Sequence, residues 1–393
     1  MRILVLNSGS SSIKAAVVET ATGEASFEAL AERLGEAAPS ISWTHGATKG
    51  TEPLAPKADH DAAMTALLAR LDAVGARDGV AGVGHRIVHG GEAFTTSVVI
   101  DAGVIAAVER VSHLAPLHNP PNLAGIRAAQ AAFADLPHVA VFDTAFHQTM
   151  PPRAFHYGLP YALYEAHGVR RYGFHGTSHR YVAAEAVDRL DLDPAQAALI
   201  TAHLGNGCSL AAVFGGNSRD TTMGLTPLEG VVMGTRSGDV DPGLHAFLAD
   251  ALGLDVHGVT RLLNKQSGLL GLSGVSNDMR TLLDASRDGN DRATLAIEVF
   301  CYRLARAVGA LSVALPWLDA LVFTGGIGEH APAIRARVVA HLGILGFRLD
   351  RRANAEDLGR IDGPGGPAIL VIPTNEALVI ARDTAALVTG AAN

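Results

Sequence analysis

The chain opens Arg2-Ile3-Leu4-Val5-Leu6-Asn7-Ser8-Gly9-Ser10-Ser11-Ser12-Ile13-Lys14-Ala15-Ala16-Val17-Val18, two short apolar runs separated by a turn of small hydroxyl residues and one glycine. The pattern predicts strand, tight turn, strand. Small residues let backbone N–H groups and hydroxyls come close to a phosphate, and Lys14, just past the turn, supplies a point charge for a phosphoryl group. The turn is not a P-loop: no Gly-Lys-Ser/Thr is present, and it feeds a second strand where a P-loop feeds a helix. On its own it also fits an ordinary serine-rich hairpin.

A second copy changes that balance. Residues 198–214 run Ala-Leu-Ile-Thr-Ala-His-Leu-Gly-Asn-Gly-Cys-Ser-Leu-Ala-Ala-Val-Phe, and the part from Gly207 to Val213 follows the course of Gly9 to Val17 with small offsets. Two phosphate-type hairpins about two hundred residues apart predict two related domains. Facing one another, such hairpins could hold opposite ends of a nucleoside triphosphate.

With 393 residues, 48% hydrophobic and 18% charged, the chain has room for a large core in two or three domains and lacks a disordered composition. A net charge of −8 and no basic run argue against nucleic acid as a partner. The apolar residues ahead of Asn7 are too few for a signal sequence. The longest apolar region, near 293–315, carries Glu298, Arg303 and Arg306, so no membrane span is expected. Cys208 and Cys301 are the two cysteines, too few for a disulfide framework and without metal-type neighbours. That usage fits a reducing, cytoplasmic setting.

Strands and helices alternate, which predicts an α/β fold. Residues 35–60, rich in Pro, Gly, Thr and Ser, read as an irregular excursion ahead of a helix near 61–73. Strands are expected over 83–89, 138–142, 321–324 and 368–372, with a domain boundary at Met150-Pro151-Pro152. Ile297, Cys301, Leu304, Val308, Leu311 and Leu315 form an apolar helical stripe, which makes Cys301 a core residue. Leu378, Ala381, Ala385 and Val388 share one face of a closing helix suited to packing back on the first domain.

Several polar residues stand where chemistry could occur. Asp143 follows the apolar run 139–142, and in open α/β sheets ligands gather at strand carboxyl ends. It could hold a metal, position a nucleophile, act as a base or cap a turn. Gly173-Phe174-His175-Gly176-Thr177-Ser178-His179-Arg180 sets two histidines four apart, without the glutamate of a zincin. No Gly-x-Ser-x-Gly elbow accompanies them. His175, in a glycine-lined turn, suits donation to a charged ligand, whereas His179 fits a structural place at a helix start. Arg236 stands among small residues in Met233-Gly234-Thr235-Arg236-Ser237-Gly238-Asp239. Arg86, in an apolar strand ahead of Gly90-Gly91, requires an anionic partner, either a protein carboxylate or a substrate carboxylate or phosphate. Gly325-Gly326-Ile327-Gly328-Glu329, which follows a strand and precedes a helix that begins near Pro332, lets backbone pass close to a ligand without the full dinucleotide fingerprint. Glu376, after the last strand, could hold Mg²⁺.

Taken in order, Asn7-x-Gly-Ser-Ser-Ser-x-Lys14, Arg86 with Gly90-Gly91-Glu92, Phe142-Asp143-Thr144-Ala145-Phe146-His147, His175-Gly-Thr-Ser-His179, His203-Leu-Gly-Asn-Gly207, Met233-Gly-Thr-Arg-Ser-Gly-Asp239, Gly326-Ile-Gly328 and Asn375-Glu376 resemble the acetate kinases over nearly the whole chain. These form the acetokinase branch of the actin–hexokinase–sugar kinase superfamily. The resemblance implies an α/β fold of two similar actin-like, ribonuclease H-like domains (βββαβαβα) flanking a nucleotide cleft. The N-terminal domain would take residues 1–147 plus 378–393. A C-terminal nucleotide-binding and dimerisation domain would take 148–377, in a homodimer.

Carried across residue by residue, the resemblance assigns Mg²⁺ or Mn²⁺ to Asn7 and Glu376. It assigns the ATP/ADP site to Lys14, to His203, Leu204, Gly205, Asn206 and Gly207, to Asp278, Met279 and Arg280, and to Gly326, Ile327, Gly328, Glu329 and His330. Arg86 would hold the substrate carboxylate, with Val88, Leu117, Phe174 and Pro227 around its methyl group. Asp143, His175 and Arg236 would surround the transferring phosphoryl group. His330 departs from the family, which commonly has Asn there. The implied reaction is reversible phosphoryl transfer from ATP to acetate, giving acetyl phosphate and ADP. The alternatives are a propionate or butyrate kinase of the same branch, or an ATP-gated binding protein of the actin or chaperone type. No nucleic-acid or membrane partner is expected.

Overall fold

The computed structural model describes residues 1–9, 11–116 and 118–390. The chain divides into two compact units, Met1–Gln148 with the segment from Asn375 onward, and Thr149–Thr374. Asn375 and Glu376 therefore group with the first unit.

Among the described residues, the first unit is built on an eight-stranded sheet: β1 (Arg2–Ser8), β2 (Ser12–Glu19), β3 (Ala25–Glu32), β4 (Ser40–His45), β5 (Thr48–Pro53), β6 (Val80–Ile87), β7 (Val98–Val99) and β8 (His138–Phe142), in the order β5-β4-β3-β2-β1-β6-β8-β7. β1 runs antiparallel to β2 and parallel to β6, and β6 runs parallel to β8. The helices His60–Ala73 and Asn119–Ala132 pack on one another and on the sheet, and Glu376–Val388 packs on β1, β2, β6 and β8. Strands covered by helices read as continuous apolar runs. Ile3, Leu4, Val5 and Leu6 of β1 and all five residues of β8 are accordingly buried. β2 instead alternates, with Ile13, Ala15 and Val17 in the core and Lys14 exposed.

The second unit repeats the central topology. β9 (Ala198–Leu204), β10 (Cys208–Phe214), β11 (Asn217–Thr221), β12 (Ala320–Thr324) and β13 (Ala368–Val371) lie in the order β11-β10-β9-β12-β13. Three antiparallel strands are followed by two parallel ones, as in β3-β2-β1-β6-β8. The paired hairpins read in the sequence are thus β1–β2 and β9–β10, at equivalent places in two similar actin-like sheets. The helix Asp291–Ser312, capped by Asn290, buries Ile297, Cys301, Leu304, Val308 and Leu311 along its stripe.

One expectation needs correction. Residues 35–60 are not an irregular excursion, because β4 and β5 form an antiparallel hairpin on the sheet edge. Ile41 and Trp43 face the core while Ser42 and Thr44 alternate outward, and the Trp43 ring lies where a Cβ on Gly50 would stand only 2.6 Å away. After β12, Gly325–His330 is a short helix of its own ahead of the Pro332–Ala340 helix. Gly325 makes the corner with φ +75°, and a Cβ there would meet the Leu204 backbone at 2.8 Å.

Candidate active site

In the first unit the parallel register brings the carboxyl ends of β1, β6 and β8 to one edge. Asn7 sits at the end of β1 beside Lys14 of β2. Arg86 is near the end of β6, and Asp143 follows β8, its N–H bonded to Ile87 O at 2.9 Å. The Arg86 guanidinium donates to both Asp143 oxygens, from Nε at 2.9 Å and Nη2 at 2.5 Å, and from Nη1 to Asn7 Oδ1 at 3.2 Å. Three of its five N–H groups are used in this way, which leaves two for a second anion. Burial pulls the guanidinium pKa down, but the Asp143 and Glu376 carboxylates raise it further, and Arg86 stays charged. The expected anionic partner of Arg86 is thus a protein carboxylate with capacity to spare.

Asn7, Lys14, Arg86 and Glu376 line one cavity of about 740 Å³. Glu376 enters it from the first turn of the closing helix, whose N-terminus Asn375 caps by accepting from Leu378 N at 3.0 Å. Two asparagines that the sequence reading passed over hold this edge together. Asn122 donates to Ser8 O at 2.6 Å and accepts from Val88 N at 3.0 Å, and Asn119 bonds both the N–H and the C=O of His89. Their signal was the polar pair flanking Pro120-Pro121 at a helix start. Val88 is buried in this unit, and Leu117 lies outside the described residues.

In the second unit, His175 is the residue just ahead of the Gly176–Leu190 helix, in the left-handed region at φ 57°, ψ 24°. A non-glycine residue held there costs on the order of 1–3 kcal/mol and marks a position the surroundings enforce. Its ring stacks on His203 with centroids 4.3 Å apart. A Cβ on Gly207 would lie 3.4 Å from both His175 Nε2 and Arg236 Nη1, so these two groups converge on the turn between β9 and β10. Arg236 Nη1 also donates to Pro227 O at 2.9 Å, and burial lowers the guanidinium pKa. Asn206 holds the turn against the Arg236 loop, its C=O accepting from Gly234 N at 3.0 Å and its Oδ1 from Asn277 Nδ2 at 2.9 Å. Phe174 is buried and Pro227 half-buried in this unit.

The other nucleotide-site candidates are placed as follows. Leu204 and Met279 bury their side chains, so only their backbone can face a ligand. Asp278 caps the Met279–Arg287 helix, and its bonds to the exposed Arg280 hold its carboxyl down at about 2. Gly326 is open, with nothing within 4 Å of an added Cβ, beside the half-buried Ile327 and buried Gly328. Glu329 Oε1 accepts from Gly325 N at 2.8 Å and Thr374 N at 3.2 Å, pinning the glycine helix, while the His330 side chain is 77% exposed. Among the described residues, no cluster of three or more His, Cys, Asp or Glu side chains has a metal-binding arrangement, and no helix is long and apolar enough to cross a membrane.

The chain resembles known proteins over nearly its whole length. The model of the Acetokinase family matches residues 2–382. The chain belongs to the acetokinase family. The acetate kinase of Deinococcus radiodurans is 53% identical over 394 residues, 99% of each chain. Among solved structures, a propionate kinase from Francisella tularensis superposes with a TM-score of 0.94 at 44% identity, covering 98% of this chain and 99% of that one. The acetate kinase of Porphyromonas gingivalis gives 0.92 at 43%, with the same coverage. The acetokinase fold of two related α/β domains is therefore the fold of this chain, and its activity is that of a phosphotransferase.

Proposed function

We propose that the chain catalyses reversible transfer of the γ-phosphoryl group of ATP to the carboxylate of acetate, giving acetyl phosphate and ADP by direct in-line attack. The observation that carries this reading is the 53% identity to an acetate kinase along 99% of both chains. Its geometric support is Arg86, a buried-edge guanidinium with two N–H groups left over after Asp143 and Asn7 are satisfied.

A carboxylate nucleophile is already ionised at neutral pH. The barrier is then set by alignment and by repulsion between the two anions, and no strong base is needed. Arg86 pins the acetate carboxylate, and Asp143 fixes the plane of Arg86, which is a better use of a buried ion-paired carboxylate than accepting a proton. His175 and Arg236 donate to the equatorial oxygens of the transferring group. Val88, Phe174 and Pro227 take the methyl group. Lys14, the turn from His203 to Gly207 and the Gly326–His330 segment contact the nucleotide, with His330 and Arg280 the exposed groups that tune base or ribose preference.

Asn7 Oδ1 and the Glu376 carboxylate are hard oxygen donors on the same cavity, a set that suits Mg²⁺, or Mn²⁺, completed by water and phosphate oxygens. These two residues would hold the ion, which supplies charge neutralisation on the phosphates. The family resemblance further supports a homodimer formed through the second unit, and the use of ATP supports a cytoplasmic setting. Transfer to propionate is the second reading, favoured by the 0.94 TM-score to a propionate kinase. One methylene is worth only about 1–3 kcal/mol in such a site.

The test is hydroxamate trapping of acyl phosphate from ATP, Mg²⁺ and a panel of formate, acetate, propionate and butyrate. A signal highest with acetate supports the reading, a maximum at propionate or butyrate transfers it to the second, and no signal with measurable ATP binding discards the kinase in favour of a nucleotide-gated binding protein.

A further inference from the structure

Two hydrogen-bonded chains stand behind the stacked pair His175 and His203. In the first, Thr201 Oγ1 lies 2.7 Å from His179 Nδ1, His179 Nε2 lies 2.8 Å from Ser209 Oγ, and Ser209 Oγ lies 2.8 Å from His175 Nδ1. In the second, Thr374 Oγ1 donates to Ser178 Oγ at 2.8 Å, and Ser178 Oγ lies 2.8 Å from His203 Nδ1. Thr201, Ser178, His179 and Ser209 are all fully buried.

Proton counting gives the first chain a direction. Each hydroxyl has one proton and each neutral imidazole one. The four groups share three bonds, so one proton must leave the chain at an end. At the Thr201 end the acceptor is Ala211 O at 3.5 Å, a long contact for a hydroxyl whose usual distance is about 2.7–2.8 Å. The protons therefore point the other way. Thr201 donates to His179 Nδ1, His179 Nε2–H to Ser209, and Ser209 to His175 Nδ1. The outward proton is then on His175 Nε2. The second chain starts from a donating Thr374 and runs the same way, so His203 also carries its proton on Nε2.

Both Nε2 atoms face the same turn. A Cβ on Gly207 would lie 3.4 Å from His175 Nε2, and one on Gly205 would lie 4.0 Å from His203 Nε2. The rings are 4.3 Å apart, and Arg236 Nη1 and buried His179 are among the titratable groups against His175. Two imidazolium ions at that distance beside a guanidinium would repel.

We propose that Thr201–His179–Ser209 and Thr374–Ser178 are two positioning relays that hold His175 and His203 as neutral Nε2–H tautomers, a pre-aimed pair of uncharged donors at the phosphate turn. Ser209, His179 and Ser178 act through the histidines and touch no substrate. The inference rests on the proposed phosphoryl transfer only for what the donors serve, because the tautomers are read on the protein alone.

The experiment is long-range ¹H–¹⁵N correlation NMR on ¹⁵N-histidine-labelled protein near neutral pH, with signals assigned through His175→Gln and His203→Gln. The expected result is a bare δ1 and a protonated ε2 nitrogen on both rings. Ser209→Ala should mix the His175 tautomers and leave His203 unchanged, and Ser178→Ala should do the reverse. Each should lower kcat about tenfold or more with KM for ATP little changed. His179→Gln, which can still accept from Thr201 and donate to Ser209, should restore most of what His179→Leu loses. An Nδ1–H or doubly protonated His175 in the unsubstituted protein, or a Ser209→Ala spectrum with the His175 pattern intact, would overturn the relay. Loss of acyl phosphate formation in the unsubstituted protein would instead strike at the reaction.

Discussion

Arg86 clasps Asp143 through two parallel bonds, at 2.9 and 2.5 Å, and the Asp143 side chain is only 2% exposed. Removing one member of a buried pair leaves the other uncompensated, which costs about 3–5 kcal/mol. Asp143→Ala should therefore lose about 3 kcal/mol of unfolding free energy, the low end because the Arg86 side chain is 19% exposed. Replacing both members by apolar residues should recover most of that stability and none of the acyl phosphate formation. Denaturant unfolding beside the hydroxamate assay separates the two roles. A double variant that regains turnover would remove Arg86 from the chemistry.

Arg236→Ala should abolish most of the rate while ATP affinity changes little. The guanidinium converges with His175 Nε2 on Gly207, where the proposed transfer would build up charge in its transition state. Steady-state kinetics with equilibrium nucleotide binding tests this, and loss of ATP affinity with turnover intact would contradict it.

The pair His85 and His138, Nε2 to Nδ1 at 2.9 Å between β6 and β8, makes the first unit acid-sensitive. Burial, with His138 adding to it, brings the His85 pKa down to about 3. In the unfolded chain its pKa is near 6.5, so below that pH the unfolded state binds the extra proton and stability falls. The loss begins as pH drops through 6.5 and is complete below about 3, where it amounts to roughly 5 kcal/mol. Unfolding free energy measured from pH 7 to 4 should decline less steeply in His85→Leu than in the unsubstituted protein. Equal slopes would dismiss the pair as the cause.

Two glycines should respond to alanine with opposite signs. A methyl on Gly84 would stand 2.5 Å from Thr384 Oγ1 and 2.6 Å from Ile380 Cγ2, where the closing helix lies on β6. Gly84→Ala should destabilise by about 1–3 kcal/mol. Gly309, inside the Asp291–Ser312 helix, has nothing within 4 Å, and Gly309→Ala should stabilise by up to about 1 kcal/mol. Thermal unfolding of both variants checks the pair.

What the sequence made legible follows from how each feature is encoded. β8 was readable because burial on both faces writes a continuous apolar run with Asp143 at its end. The twin hairpins were readable because two related domains repeat one local pattern. The β4–β5 hairpin was not, because its outward face is polar and its second strand, Thr48–Pro53, has no buried residue to mark it. The hydroxyls behind the histidines were invisible for a different reason. Thr374 and Ser178 meet across 196 residues, and Thr201 and Ser209 interrupt apolar strands as any buried hydroxyl might. Only the fold tells which imidazole nitrogen they face.

In the proposed reaction a carboxylate oxygen of acetate becomes bonded to the γ-phosphorus. Acetate labelled with ¹⁸O in both oxygens, incubated with ATP and Mg²⁺ and followed by ³¹P NMR, tests this directly. The expected product is acetyl phosphate whose phosphorus signal carries the isotope shift of one bridging ¹⁸O. Acetyl phosphate without that shift, or inorganic phosphate as the sole new product, would contradict it.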